Sequence, residues 1–548
     1  MSLQPRRLQD VPEETARIAH AAFPKGNVYM RLRDELGILY EDADFAALFP
    51  AVGQPAETPW RLALVIVMQF MENLTDRQAA DAVRGRIDWK YALCLELEDA
   101  GFNYRVLSEF RTRLVAGGAE TLVLERMLAH FKACGLVKAG GRARTDSSHV
   151  LAAIHALNRL ELVGRTLQAV LEDLARQVPD WLKGQVPPDW FDRYGRRIDA
   201  YWLPKKDAER QALAEQIGRD GQTLLSQLET LSTAGLSDLP SVPILRRVWQ
   251  QEYAVQDGQL RWRTPAELPP AAERIESPYD SDARFSKKRE DTWVGYKVHL
   301  TETCDDDRPH LITHVETTVG TDQDIHALDT IHHDLAHTQS LPSEHIVDMG
   351  YGSGESIHTS QAAYGVDLLC PVHADTSWQA QTPGAFDLSR FIVDWETHHL
   401  RCPLGHLSRS WTTTKPLHGK PAIWVRFSPT DCAPCPAHSL CTRSKAKARE
   451  LTLIPKDAYL ALQVARQRQC TETFTQRYAI RAGIEGTLSQ AVNTLDLRRA
   501  RYLGLAKTHL QHILTAAALK PSACRQLASR SAPCPNTTIS LCRSRCLT

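Results

Sequence analysis

Near the C-terminal end of the chain a tyrosine, an arginine and a glutamate stand at i, i+3 and i+7. They are Tyr478, Arg481 and Glu485, in the run Tyr478-Ala479-Ile480-Arg481-Ala482-Gly483-Ile484-Glu485-Gly486. At about 100° per residue a helix gathers them within about 60° of one face. Buried faces seldom carry such a trio, and an acid flanked by a cation and a phenol suits a site that holds a metal and a phosphate. Two aspartates could complete it. Asp146, in Arg144-Thr145-Asp146-Ser147-Ser148-His149-Val150, and Asp348, in Val347-Asp348-Met349-Gly350-Tyr351-Gly352, each end a short strand-like segment and precede small residues. Active sites gather at strand ends in α/β sheets. Two aspartates from neighbouring strands, closed by a glutamate from a helix, make an oxygen cage for divalent cations, and magnesium prefers such ligands. Two such ions about 3.5–4 Å apart stabilise the attacking and leaving oxygens of an in-line displacement at phosphorus. Gly350 and Gly352 would let backbone or DNA approach closely. Taken singly, an aspartate at a strand end is more often a cap or turn residue, and the spacing of the three acids is not diagnostic by itself. Serine catalysis by Ser147 or Ser148 with His149 fits poorly, because adjacent strand positions point to opposite faces.

The elements that must position these residues can be read from apolar spacing. Residues 1–138 read as helical. The stretch 60–97 has helical spacing and few breakers, and Thr75 is placed as an N-cap with Gln78 at the third position. More helix is expected over 107–131, interrupted at Gly117-Gly118 and basic at Arg111, Arg113 and Arg126. Such helices suit a helix-turn-helix-like DNA module or, equally, a scaffold or dimerisation domain. Residues 151–265 read as helical with no strand period, and a Pro-rich linker follows. Segments 292–301 and 311–318 alternate with period two and are joined by a polar connection, a hairpin pattern. Segments 345–352 and 366–372 read as buried strands. A cysteine-bearing insertion spans about 380–450, and a long helix then carries Glu485.

Bulk properties narrow the function. The 548 residues carry 65 Lys and Arg against 65 Asp and Glu, so polyanion binding must come from local patches. No apolar segment near the start resembles a signal peptide. The longest apolar run, residues 62–71, is half a membrane span. A soluble, cytoplasmic protein without membrane contact is expected. Thirteen cysteines in such a chain suggest metal before disulfide.

From Asp146 to about Leu519 the chain resembles bacterial insertion-sequence transposases of the DDE class, and specifically the insertion-sequence family numbered 1182. The matching segments are those around Asp146 and Asp348, Ser277-Pro278-Tyr279-Asp280, Trp293-Val294-Gly295-Tyr296-Lys297-Val298-His299, the Tyr478–Glu485 run, and Arg498-Arg499-Ala500-Arg501-Tyr502-Leu503-Gly504-Leu505-Ala506-Lys507-Thr508. The helical region around residues 74–97 resembles the domain that commonly precedes this core. The resemblance implies an α/β fold: a ribonuclease H-like mixed-sheet catalytic core with an N-terminal helical domain and large insertions. The domains would be 1–138 (DNA-binding), 139–519 (catalytic, with a helical insertion at about 151–275 and the Cys-bearing one) and a tail, 520–548. It implies Asp146, Asp348 and Glu485 as the catalytic, metal-binding triad for Mg²⁺ or Mn²⁺. It also implies Tyr478 and Arg481 as contacts near the cleaved DNA end. The implied reaction is hydrolysis at the transposon end, then attack of the freed 3′-hydroxyl on target DNA. The partners would be double-stranded DNA (terminal inverted repeats and target) and a second copy of the chain, in the cytoplasm at the nucleoid. Alternatives are an inactive DNA-binding relative and a metal-dependent nuclease without strand transfer.

Between residues 473 and 507 stand Arg477, Arg481, Arg498, Arg499, Arg501 and Lys507 against Glu485 and Asp496. This excess suits phosphate-backbone contact, which positions DNA without reading sequence. Lys287, Lys288 and Arg289 form a second cluster, and Lys297 is a further candidate for phosphate. In the insertion, Cys402, Cys432, Cys435 and Cys441 suit a tetrahedral structural Zn²⁺, with His438 as a substitute ligand. Past Leu519 the relatives continue as helix, whereas Lys520-Pro521 breaks it here. The Ser-, Arg-, Pro- and Cys-rich tail reads as disordered and atypical, as a frameshift would leave it.

Overall fold

Both aspartates lie on one mixed sheet. Its strands are β1 (Arg142–Leu151), β2 (Arg284–Lys288), β3 (Asp291–Thr303), β4 (Ile312–Val319), β5 (Glu344–Val347) and β6 (Asp367–Leu369). In this computed structural model residues 2–519 are described, apart from 4, 6–9, 156, 231–235, 237, 238, 415–420 and 445. The tail expected to be disordered lies outside the described residues.

The sheet order is β4-β3-β1-β5-β6, and β2 pairs with the start of β3 on the β4 side. β3 runs antiparallel to both β1 and β4, while β5 is parallel to β1 and β6 to β5. The expected hairpin is β3–β4. All four residues of β5 are buried, as a central strand covered on both faces requires. The β1–β3 ladder is close. A Cβ on Gly295 (φ +153°) would fall 2.1 Å from the Val150 carbonyl oxygen, so this position in β3 takes no side chain.

The helices near the sheet are α1 (Asp324–His337), α2 (Gly354–Tyr364), α3 (Lys456–Gln469), α4 (Glu472–Ala479), α5 (Ala482–Leu495) and α6 (Leu505–Leu519). The single long helix expected around Glu485 is therefore three helices. Thr471 caps the second by accepting from the Phe474 N–H. At the second seam the bonds tighten to i−3: Arg481 N–H donates to Tyr478 O, and Ile484 N–H to Arg481 O.

The stretch 60–97 likewise divides, into Pro59–Met71, Asp76–Gly85 and Ile87–Ala92. Asn73 (φ +57°) turns the chain after the first, and Thr75 with Gln78 forms the expected capping box. Most of the N-terminal helices share the core of the sheet: Trp60, Ile66 and Leu107 lie in one apolar cluster with Tyr296 and Leu300 of β3 and Leu514 of α6, while Ala19, Met30 and Tyr91 form a small cluster apart. Three arginines of this region are used internally. Arg111 pairs with Asp76 at 2.5 Å, Arg126 pairs with Asp44 at 3.0 Å, and Arg113 lies over Phe49.

The segment between β1 and β2 has a separate core, with Leu167, Leu245 and Trp249 between its helices. It also holds a hairpin, Tyr253–Gln256 with Gln259–Trp262, where no strand was expected. Its turn is Asp257-Gly258, both at positive φ, the two-residue signal that favours hairpins. The Cys-bearing insertion is built of short strands from Ile392 to Leu453. No helix among the described residues is long and apolar enough to cross a membrane.

Candidate active site

Strand alternation on β1 sorts the site into two faces. Arg144, Asp146 and Ser148 look toward α4, α5 and the segment that follows. The Arg144 Nη1 donates to the Ile480 carbonyl at 2.7 Å, Arg481 Nη1 to Asp146 Oδ2 at 2.9 Å, and Arg498 Nε to Ser148 Oγ at 2.9 Å. On the other face Ser147 Oγ donates to Asp324 Oδ2 at 2.9 Å, and Thr145 shares a hydrogen bond with Thr301 at 2.7 Å.

β1 and β5 are paired in parallel up to Thr145 and Val347. Asp146 and Asp348 are the next residues along, so they stand side by side at the ~4.8 Å spacing of neighbouring strands. Asp348 ends its strand as expected, whereas Asp146 does not: β1 continues to Leu151, with Asp146 paired to Leu300 of β3. Asp348 caps the turn Met349–Tyr351 by accepting the Gly350 N–H at 2.8 Å. Burial pushes the Asp146 carboxyl above its ordinary range. The Ser147 N–H and Arg481 oppose that, and the Asp348 charge adds to it.

Arg481 joins the third acid to the first. One guanidinium nitrogen holds Asp146 and the other meets Glu485 Oε1 at 2.5 Å. Glu485 is 59% exposed at the side chain, so it faces the open side of the cluster. Tyr478 stacks on Phe474 with centroids 5.5 Å apart and carries the Arg481 guanidinium 5.9 Å from its ring centre. The tyrosine, the arginine and the three acids thus come together although the helix is broken between them.

A buried ion pair supports this seam. Arg144 Nε and Nη2 donate to Glu302 Oε2 at 2.9 and 2.6 Å, and the side chains are 5% and 0% exposed. The other oxygen of Glu302 accepts from Thr487 of α5 at 2.7 Å. Gly483 leaves room for this arginine, since a Cβ would lie 2.0 Å from Arg144 Nη1 and would have to displace it.

Asp324, the first residue of α1, is a fourth acid that the spacing argument did not single out. Burial alone would raise its carboxyl, but the Lys297 ammonium, 3.0 Å away, and the Ser147 hydroxyl hold it below the usual range. A Cβ on Gly350 would meet Asp348 Oδ1 at 3.0 Å and Asp324 Oδ2 at 3.3 Å, so this glycine makes room between two carboxylates. Gly352 is instead packed against Cys370, whose Sγ would lie 2.7 Å from an added Cβ. An acid at a helix start after a strand was the available signal for Asp324; it reads equally well as a cap.

The basic residues divide. Lys297 points inward: it pairs with Asp324 and donates to the Asp322 carbonyl at 2.5 Å, and its side chain is 16% exposed. Its charge faces an acid and not a solvent-borne phosphate, because position 297 falls on the β3 face that meets the start of α1. Arg501 lies over Phe70, 4.6 Å from the ring centre, and burial pulls its pKa down. It fastens the segment before α6 to the N-terminal helices, donating also to the Leu74 carbonyl. Arg498, Arg499 and Lys507 are exposed, as are Lys287, Lys288 and Arg289 at the β2–β3 turn. The four insertion cysteines line one small cavity, away from the acids.

A second titratable group lies on β4. His314 and Glu316 share a face against Asp334 of α1, with ligand-type atoms of all three within 4.8 Å of one another. Burial pushes the Glu316 carboxyl up to about 7; the Thr317 N–H opposes this and the Asp334 charge adds to it. An acid whose folded pKa stands above its unfolded value costs stability as it ionises. The cost is absent below the unfolded pKa of about 4.5 and complete above about 7. Glu316→Gln is therefore expected to stabilise the fold by about 3 kcal/mol at pH 8 and little at pH 4. Urea unfolding at the two pH values checks this; an equal effect at both would assign the gain to packing and not to charge.

Residues 18–113 match the family described as transposase domain (DUF772). Residues 401–520 match the family described as transposase DDE domain. The second match includes Tyr478, Arg481 and Glu485, while Asp146 and Asp348 lie outside both. The chain matches no curated protein and no solved structure.

Proposed function

We propose that this chain, a DNA transposase of the insertion-sequence kind by its two family matches, cuts transposon ends with Asp146, Asp348 and Glu485 as its metal-binding acids. The observation that carries the assignment is the register of β1 and β5, which brings Asp146 and Asp348 out side by side, with Glu485 tied to Asp146 through Arg481. The sheet order β4-β3-β1-β5-β6 with β3 alone reversed supports a ribonuclease H-like core. The motifs around Asp146, Asp348 and Glu485 favour the insertion-sequence family numbered 1182.

The donor set fits the metal. All three acids offer hard oxygen, and half-buried Asp146 sits beside the like charge of Asp348, an arrangement a divalent cation relieves. Mg²⁺ suits carboxylates that leave room for water and phosphate. When bound, such ions supply charge stabilisation at the attacking and leaving oxygens of phosphoryl transfer. The chain's own groups do the rest. Arg481 and Tyr478 flank the acids and are placed to meet the backbone of the cleaved end. Exposed Arg498, Arg499 and Lys507 extend the basic surface along which the duplex is positioned. Two ends must be joined, so the working unit is a homodimer, acting on nucleoid DNA in the cytoplasm.

The test is incubation of the chain with a labelled transposon-end duplex, a supercoiled target plasmid and Mg²⁺. Nicked ends followed by end–target joined products are expected. Nicks without joined products would make the chain a nuclease, and binding without nicks in either Mg²⁺ or Mn²⁺ an inactive relative.

A further inference from the structure

The cysteine-bearing module is thinly cored for its length. Its strands run from Ile392 to Leu453, yet among the described residues its central cluster holds seven buried apolar side chains, Phe391, Val425 and Phe427 among them. Units with so little buried area are commonly stapled by disulfides or a metal ion. Disulfides are not the staple here, since Cys402, Cys432, Cys435 and Cys441 are all free thiols.

Backbone turns present the four thiols to one another. Cys402 N–H donates to His406 O at 2.9 Å and Cys402 O accepts from Gly405 N–H at 2.9 Å, a tight turn that puts Gly405 at φ +92°. Cys432 ends the turn Pro429–Cys432, and its carbonyl accepts the Cys435 N–H at 3.2 Å. Cys441 ends His438–Cys441. The backbone N–H of Arg449, beside the strand Glu450–Leu453, is directed at the Cys432 sulfur. Three separate stretches of the module therefore converge. All four cysteines, with His438, line a cavity of about 30 Å³, a volume that suits one atom-sized occupant.

We propose that Cys402, Cys432, Cys435 and Cys441 bind one zinc ion as a tetrahedral thiolate site that staples this module. Sulfur in a fourfold set selects zinc or iron–sulfur chemistry, and one small cavity favours the single ion. No three of the sulfurs lie within 4.8 Å of one another, so the site requires side-chain rotation to reach the ~2.3 Å Zn–S distance. Binding expels the thiol protons to solvent as the four Zn–S bonds form. The excess negative charge of four thiolates meets Arg449, whose Nη1 donates to the Cys441 carbonyl at 2.7 Å. It also meets His438, whose buried Nε2 has no partner among the protein atoms.

Elemental analysis of the purified full chain tests the assignment. About one zinc per chain is expected, lost in the paired variant Cys432→Ser with Cys435→Ser and kept in Cys470→Ser, which removes an exposed thiol elsewhere. Because the paired variant could fail to fold, cobalt is also added to chelator-treated wild-type chain. The ligand-field bands of a tetrahedral thiolate site should appear and be displaced by one equivalent of zinc. Wild-type chain without zinc and without those bands, iron in place of zinc, or zinc retained by the folded paired variant would each overturn the proposal. None of these readouts involves DNA, so they stand apart from the catalytic assignment.

Discussion

Asp348→Asn is expected to lower Mg²⁺-dependent cleavage of end DNA by about 10³-fold or more, because several kcal/mol of metal-borne charge stabilisation are withdrawn and each ~1.4 kcal/mol is tenfold in rate. The asparagine is chosen over alanine for a structural reason. Asp348 also accepts the Gly350 N–H that starts the turn Met349–Tyr351. Alanine would abolish the cap at a cost of ~1 kcal/mol, whereas the amide oxygen keeps it and removes only the charge. Cleavage, duplex affinity and the urea midpoint are measured together. Lost cleavage with unchanged affinity and midpoint supports a metal ligand. Cleavage within tenfold of wild type would refute the assignment of Asp348, and a lowered midpoint would return it to a turn residue. Asp324→Asn is the informative companion. Its carboxylate is neutralised by Lys297 at 3.0 Å, so its loss should act mainly through the Asp348 turn and cost less rate than Asp348→Asn.

Much of the frame was legible because it rests on short-range patterns. Alternation marked β3 and β4, since it follows from which faces a strand covers; the segment 345–352 was read as a buried strand, of which only the part to Val347 is one before the turn Met349–Tyr351. The Thr75 cap was legible because its partner Gln78 is three residues away. What escaped depends on contacts distant in sequence. The break at Ile480 cannot be seen from 472–495, because its carbonyl, besides accepting the Gly483 N–H, is taken by Arg144, 336 residues earlier. The inward turn of Lys297 follows from where α1 begins, and that of Arg501 from Phe70 across the shared core. The basic count near Glu485 was right as arithmetic and too generous as free charge. Asp257-Gly258 was a local signal that the helical surroundings masked.

Arg144→Met is expected to destabilise the chain by about 3–5 kcal/mol, the usual cost of removing one partner from a buried ion pair. Glu302, fully buried, would lose its guanidinium and retain Thr487 and its remaining contacts. The paired variant Arg144→Met with Glu302→Leu should recover most of that loss, since an apolar pair of similar volume often replaces a buried ion pair without penalty. Catalysis should behave differently. Arg144 also takes the Ile480 carbonyl at the α4–α5 seam, and neither replacement can donate to it. Arg481 and Glu485 flank that seam, so its loosening moves the group that joins Glu485 to Asp146. Restored stability with cleavage still depressed therefore separates the two roles of Arg144. Restoration of both would mean that the seam holds without it. Gly483→Ala probes the same contact from the other side: a methyl 2.0 Å from the guanidinium must displace Arg144 or the helix start. If the seam positions the acids, cleavage falls in Gly483→Ala even though every charged group of the site is retained.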